Sequence, residues 1–276
     1  MEIVHRVFSN KKPELKALVD RLMIPHTYTD NIVGQVVSFE ILESDPKWVL
    51  LEEHLGKFDT FHTVGTQFSR KEIMSADWLF TFVGTYQYPQ PEENWGHDSY
   101  DESNSCSKCH VGISQSKPIR LKSDFKQKNS AFFGLFWSYD VVLTRPHIIR
   151  ILKEAFGAKH FNTLPVIHHK SGIKFEDLVQ IVIPILETDL IIDDEIQREH
   201  CAQCGSNRNV RKERGMVLTR GVSPQASSPI YLTKEWFGSG GSSHRQIVVS
   251  NDFMDFVTRN KLRGFSFEPF NSTPKS

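Results

Sequence analysis

In the N-terminal part of the chain, apolar positions switch between a period of two and a period near 3.6. Ile3 to Phe8 is rich in apolar side chains and reads as a strand. Ser9 and Asn10 then lead into a helix with Pro13 in its first turn and Leu15, Leu18, Val19 and Leu22 along one face. Val36 to Leu42 alternates as a second strand, and Asp45-Pro46 opens a helix predicted to reach Leu55. Ser69 and Glu72 have capping-box spacing ahead of Ile73, Ala76, Trp78 and Leu79. Tyr86 to Asp101 carries Pro89, Pro91 and acidic charge without periodicity, so a boundary is expected there. The pattern thus predicts an α/β region over 1–92 and a second region over 93–276.

The second region contains two similar stretches. Val141 to Leu152 and Ile247 to Val257 each begin with a β-branched run. A Thr or Ser then stands as an expected N-cap, and the following helix has apolar residues at i, i+1 and i+4. Gly157 and Gly264 are placed as helix-ending glycines, and short strands with a proline follow, Phe161 to Val166 and Phe265 to Phe270. The expectation is an α+β fold with duplicated strand–helix–strand units. Leu178 to Leu186, interrupted by Gln180 and Pro184, reads as a buried strand.

Composition narrows the class. The 276 residues are 39% hydrophobic and 24% charged, enough to bury a real core, and 20 phenylalanines point to packing of large flat side chains. Lys+Arg and Asp+Glu are equal at 33, which argues against nucleic-acid binding through bulk charge. No run approaches the roughly 18 apolar residues of a membrane span. Met1 to Arg6 lacks a basic-then-apolar leader, so a cytoplasmic location with reduced thiols is expected.

The four cysteines form two CxxC pairs, Cys106/Cys109 and Cys201/Cys204. This spacing lets a short turn aim two thiolates at one ion, and two such turns complete a tetrahedral all-thiolate zinc site. Redox CxxC motifs usually stand singly in a thioredoxin-like context, and paired disulfides need an oxidising compartment. About ninety residues separate the pairs, so the metal is expected to clamp distant segments. An iron–sulfur centre is the lesser metal reading, and His110 and His200 are alternative ligands beside the pairs. With four protein ligands the site has no open position for catalysis.

Together these residues resemble the bacterial double-CxxC (double-CXXCG motif) immunity proteins of contact-dependent and polymorphic toxin systems. The likeness spans roughly Tyr100 to Phe270. Its carriers are the first cysteine pair, Trp137-Ser138-Tyr139-Asp140, Cys201-Ala202-Gln203-Cys204-Gly205, Ile247-Val248-Val249-Ser250 and Gly264-Phe265-Ser266-Phe267-Glu268-Pro269. His110 stands where that pattern has glycine, which implies a different geometry for the first turn. The resemblance implies a protein that binds and neutralises a cognate toxin and carries a structural zinc.

The remaining chemistry leaves an alternative, a zinc-ribbon-like nucleic-acid-associated or regulatory protein. Lys117, Arg120, Lys122, Lys126 and Lys128 follow the first pair, and Arg208, Arg211, Lys212 and Arg214 the second. An acidic segment, Glu187 to Glu199, is a candidate partner-facing surface. The loop Phe237 to Arg245 is glycine-rich but lacks the phosphate-loop pattern and precedes a strand, so it reads as a connection or part of a binding surface. His168, His169 and His244 could act as acid–base groups, yet no GxSxG or HExxH motif accompanies them. An enzyme is therefore not expected.

Overall fold

A computed structural model describes residues 1–10, 13–31, 34–58, 60–88, 97–122, 130–222 and 227–272. The boundary expected after residue 92 lies outside the described residues. Chain contacts divide the protein into two compact units, Met1–Glu72 with Lys212–Met216, and Ile73–Arg211 with Val217–Ser276. The architecture is mixed α/β and rich in sheet, with five α-helices among the described residues.

The first unit runs β1 (Glu2–Asn10), α1 (Pro13–Arg21), β2 (His26–Asn31), β3 (Gly34–Leu42), α2 (Pro46–Leu55) and β4 (Thr60–Gln67). Its sheet is antiparallel in the order β2-β3-β1-β4, the interleaved split βαβ arrangement called ferredoxin-like. The alternation read in the sequence has a direct cause. Val7, Val37, Phe39 and Ile41 turn to one sheet face and meet Leu15, Leu18 and Val19 of α1 and Trp48, Leu51 and Leu55 of α2. Asp45 caps α2 by accepting from Lys47 N at 2.9 Å, and Pro46 occupies the first turn, where its missing N–H costs nothing. Buried His5 stacks on Trp48 at 3.6 Å and bridges Glu43 and His62, each at 2.9 Å. Arg214 of the returning segment also pairs with Glu43.

The expected capping box is present. Glu72 N donates to Ser69 Oγ at 3.2 Å and Ser69 N to Glu72 Oε2 at 2.8 Å, but α3 spans only Arg70–Ser75. Trp78 and Leu79 continue as strand, because the second unit uses them in the centre of a sheet.

That unit contains β5 (Trp78–Val83), β6 (Thr85–Gln87), β7 (Tyr100–Asp101), β8 (Ser114–Gln115), β9 (Arg120–Leu121) and β10 (Phe132–Leu135). It continues with β11 (Ser138–Thr144), α4 (Pro146–Phe156), β12 (Thr163–His168) and β13 (Lys174–Ile181). Two short strands follow, β14 (Arg198–His200) and β15 (Asn207–Asn209), then β16 (Leu218–Thr219) and β17 (Ile230–Leu232). The unit closes with β18 (Ile247–Ser250), α5 (Asn251–Arg259), β19 (Phe265–Pro269) and β20 (Asn271–Ser272).

Its larger sheets have orders β6-β10-β11-β13-β12-β9 and β17-β18-β5-β19. In each, the two strands of a strand–helix–strand run flank one antiparallel strand from outside that run. β11 and β12 flank β13, and β18 and β19 flank β5. The registers also match. Thr144 and Pro165 both oppose Val179, while Val249 and Pro269 both oppose Leu79.

Helices α4 and α5 share one apolar core with both sheets, including Ile148, Ile149 and Leu152 from α4 and Phe253, Met254 and Val257 from α5. Phe253 stacks near Phe161 at 6.3 Å, and Phe156 packs on Phe253 at 5.8 Å. Removing each such side chain from water contributes about 1.5–3 kcal/mol, so this cluster is a major source of the unit's stability.

The helix ends differ from expectation. Arg145 is the N-cap of α4 and makes no capping bond, while Thr144 Oγ1 donates to Ala131 O at 2.7 Å. Ser250 does cap α5, accepting from Phe253 N at 3.2 Å. Gly157 ends α4 with φ 98°, but α5 ends at Asn260 and Lys261 takes the left-handed conformation. Gly264 instead permits close approach, since a Cβ there would lie 2.0 Å from Phe132 O. No helix among the described residues is long and apolar enough to cross a membrane.

Candidate metal centre and adjoining cavity

Each cysteine pair lies in the turn of a two-stranded hairpin, β7–β8 for the first and β14–β15 for the second. The turns have the same hydrogen bonds. Cys106 N donates to Val111 O at 2.9 Å and His110 N to Cys106 O at 2.8 Å. Cys201 N donates to Ser206 O at 2.9 Å and Gly205 N to Cys201 O at 2.8 Å. His110 and Gly205 occupy equivalent left-handed positions, φ 59° and 75°. The geometric difference expected from His110 is absent, because the histidine accepts the conformation that glycine takes in the second turn. Gln203 Nε2 donates to Ser107 Oγ at 2.8 Å and ties turn to turn.

The fold brings all four thiols together, with their sulfurs within 4.8 Å of one another. Cys106–Cys201 and Cys109–Cys204 Sγ distances are 3.9 and 3.6 Å. Disulfide sulfurs stand near 2.05 Å, so these cysteines are free. A tetrahedron of sulfurs about 2.3 Å from a central ion has edges of about 3.8 Å, which these separations match. Neither His110 nor His200 belongs to the cluster.

The electrostatics are uneven. Burial pushes the Cys109 thiol up to about 12. Hydrogen bonding from Ser206, side chain first and then backbone, brings Cys204 down to about 6. Backbone bonds from Cys204 and Gln203 lower Cys201 as well. A buried thiol such as Cys109 ionises readily only beside a cation, and the neighbouring N–H···S bonds favour thiolates. The donor set can hold a soft tetrahedral metal ion.

The glycine-rich loop closes over the first turn. Phe237 and His244 exchange backbone bonds at 2.8 and 3.0 Å, and Ser243 Oγ donates to Cys109 O. Gly238 is required at the neck, with φ 117° and only 2.4 Å from a notional Cβ to Ser242 O. Arg208, 2% exposed, fills the loop and donates to Gly240 O at 2.7 Å, Ser242 O at 2.9 Å and Glu199 Oε1 at 2.8 Å. These carbonyls face a guanidinium, so the loop is no phosphate cradle.

Beside it lies a cavity of about 310 Å³. It is bounded by His110 of the first cysteine turn, by the β10–β11 turn with its following residues Ser138 to Asp140, and by Gly241 to His244. Burial lowers His244 to about 4 and keeps its ring neutral, and its Nδ1 has no hydrogen-bond partner among the described residues. Burial also raises Asp140. His168 stacks on Phe175 at 3.8 Å, and neither His168 nor His169 lines this cavity. The sequence reading missed the cavity as a site. Its one available signal was the run Trp137 to Asp140, whose meeting with residues about a hundred positions later is invisible in the sequence.

Other charged candidates are partly consumed by the fold. Arg211 pairs with Glu268 and lies 4.2 Å over Phe82. In the acidic segment, buried Asp193 accepts from Glu195 N at 3.0 Å and Leu218 N at 3.1 Å, and Glu199 holds Arg208. Glu187, Asp189, Asp194 and Glu195 are exposed. Lys126 and Lys128 lie outside the described residues. Compared with protein-family models and with curated protein sequences, the chain matches none.

Proposed function

We propose that this chain is an immunity-type protein that binds and neutralises a cognate bacterial toxin, built on a structural zinc clasp. The observation that carries the reading is the closed four-thiol cluster beside a cavity edged by exposed aromatic residues. Four protein sulfurs leave no coordination position for substrate or water, so the ion's role is to hold the two turns together. Four soft donors in tetrahedral array favour zinc over harder divalent ions. Trp137 and Tyr139, 56% and 45% exposed, supply the kind of rigid aromatic surface that anchors protein interfaces. The toxin as partner comes from the resemblance to double-CxxC immunity proteins.

The clasp also fits a duplication in which two copies exchange their leading strands. One copy runs β5, cysteine turn, β10, β11, α4, β12, and the other β13, cysteine turn, β17, β18, α5, β19. Each leading strand completes the other copy's sheet in matched register, which supports the exchange. Polypeptides covering 73–172 and 173–276, made separately, should then require each other and zinc to fold. Independent folding of either would remove the exchange.

A nucleic-acid role is less well supported, because Arg208, Arg211 and Arg214 are engaged within the protein. Metal analysis of gently purified protein should give one zinc per chain. Co-expression with the toxin encoded beside it should yield a stoichiometric complex and abolish killing. Undiminished killing at equal expression would sink the proposal.

A further inference from the structure

The cavity beside the first cysteine turn carries one carboxylate and two aromatic walls. Asp140 forms no ion pair with any described residue. The charge of Arg245 reaches Asp140 and draws it down against burial, but the guanidinium's hydrogen bonds go elsewhere: its Nη1 donates to Thr233 O at 3.0 Å and to Lys234 O, and it lies 4.4 Å over Trp236. Tyr100 bonds to Ser138, and burial holds the phenol neutral. His244 is also neutral, and Asp140 is the one carboxylic side chain among the lining residues; burial raises it, so an entering cation would favour its ionised form.

The aromatic wall is placed at a conformational cost. β10 and β11 are joined by a two-residue turn, Leu135 opposing Ser138, and Trp137 occupies its second position with φ 66°. Glycine or asparagine normally fills such a position, and a bulky residue there is strained by about 1–2 kcal/mol. Strain kept at a site is a pointer to function. Here it sets an indole beside the cavity, next to Tyr139 and Asp140.

The ligand follows from these walls. An anion would face Asp140 and gain no countercharge, while a purely apolar group would bury the carboxylate without a partner. A guanidinium satisfies both features, because it pairs in a fork with a carboxylate and stacks on aromatic faces. The volume sits at the lower end of the roughly 300–1,000 Å³ range of ligand sites, suited to one side chain. We propose that this cavity receives a single basic side chain, arginine in preference to lysine, from the protein partner. The proposal rests on the protein-recognition reading above and assigns that reading its anchor.

The test uses the full zinc-loaded chain with no toxin present, so its outcome is separate from that of co-expression. N-acetyl-argininamide is titrated by calorimetry and by ligand-observed NMR against its neutral isostere N-acetyl-citrullinamide. The arginine probe should saturate with millimolar affinity, and the citrulline probe should bind at least about tenfold more weakly. Asp140→Asn should cost the arginine probe about tenfold and leave the citrulline probe unchanged. Trp137→Gly provides a variant that cannot fail through turn strain. It should stay folded, as read by its thermal melt, and still lose about tenfold in arginine binding. Equal binding of the two probes, no saturable binding, or undiminished arginine binding by either variant would overturn the proposal.

Discussion

The two cysteine turns have the same hydrogen bonds, and each holds one buried cysteine, Cys109 and Cys201, but their second cysteines differ in surroundings. Cys109 is buried, and its turn supplies His110 to a cavity beneath a loop. Cys204 is exposed, with its sulfur held down by Ser206. Identical backbone geometry therefore does not imply identical chemistry. One turn delivers a thiol that needs a cation before it will ionise, and the other delivers a thiol already poised to ionise.

Replacing cysteines one at a time breaks this comparison most severely. Cys109→Ser and Cys204→Ser should each lose zinc and several kcal/mol of stability, because metal binding is coupled to folding. Cys109→Ser should be the worse by about 1 kcal/mol, since it leaves a hydroxyl in a buried place. Paired metal analysis and denaturant melts would check both, and full zinc retention in either would contradict a four-ligand site.

The loop over the first turn comes next. Arg208→Met should cost about 2 kcal/mol, because Glu199 and the carbonyls of Gly240 and Ser242 lose their shared donor. Hydrogen exchange should speed up across residues 238–243 and in the β14–β15 hairpin that carries Arg208 and Glu199, and stay unchanged in α5.

A pH series probes the same wall. His244 has a folded pKa of about 4 against an ordinary 6.5, so the unfolded chain binds the extra proton first as pH falls. The stability this group contributes is present above pH 6.5 and is lost as pH falls toward 4. Between pH 7 and 5 the loss is about 2 kcal/mol. His244→Gln should flatten the pH profile by that amount. Metal release at low pH affects both proteins alike, so their difference isolates the histidine.

The smallest effect separates the turns themselves. Gly205→Ala meets no atom within 4 Å of the new Cβ, so it should cost only the left-handed penalty, about 1 kcal/mol. His110→Gly should change stability by less than about 0.5 kcal/mol, because relief of that penalty is offset by chain entropy. Thermal melts of the two variants, set side by side, measure whether the turns are energetically equivalent.

Local signals were the legible part of the chain. Asp45-Pro46, Ser69 with Glu72, and the face of Leu15, Leu18 and Val19 each depend on residues a few positions apart, and each took the expected local form. Thr144 was misread as an N-cap because a long-range bond to Ala131 captured its hydroxyl. Trp78 and Leu79 were drawn from helix into strand by partners about 170 to 190 residues away.

The sequence by itself determined locally fixed elements such as α1 and α2, the pairing of cysteines within each turn and the chemistry of their donors, since these are set by neighbours along the chain. Only the tertiary structure decided that the two turns meet, which of the cysteines are buried, and that Trp137, Asp140 and His244 line one cavity. Those outcomes depend on contacts about a hundred residues apart, whose entropy cost is met by the shared core of α4 and α5. No local pattern encodes such closure. The physical reason is that burial, and with it the pKa of Cys109 and the charge of the cavity, belongs to the packed whole.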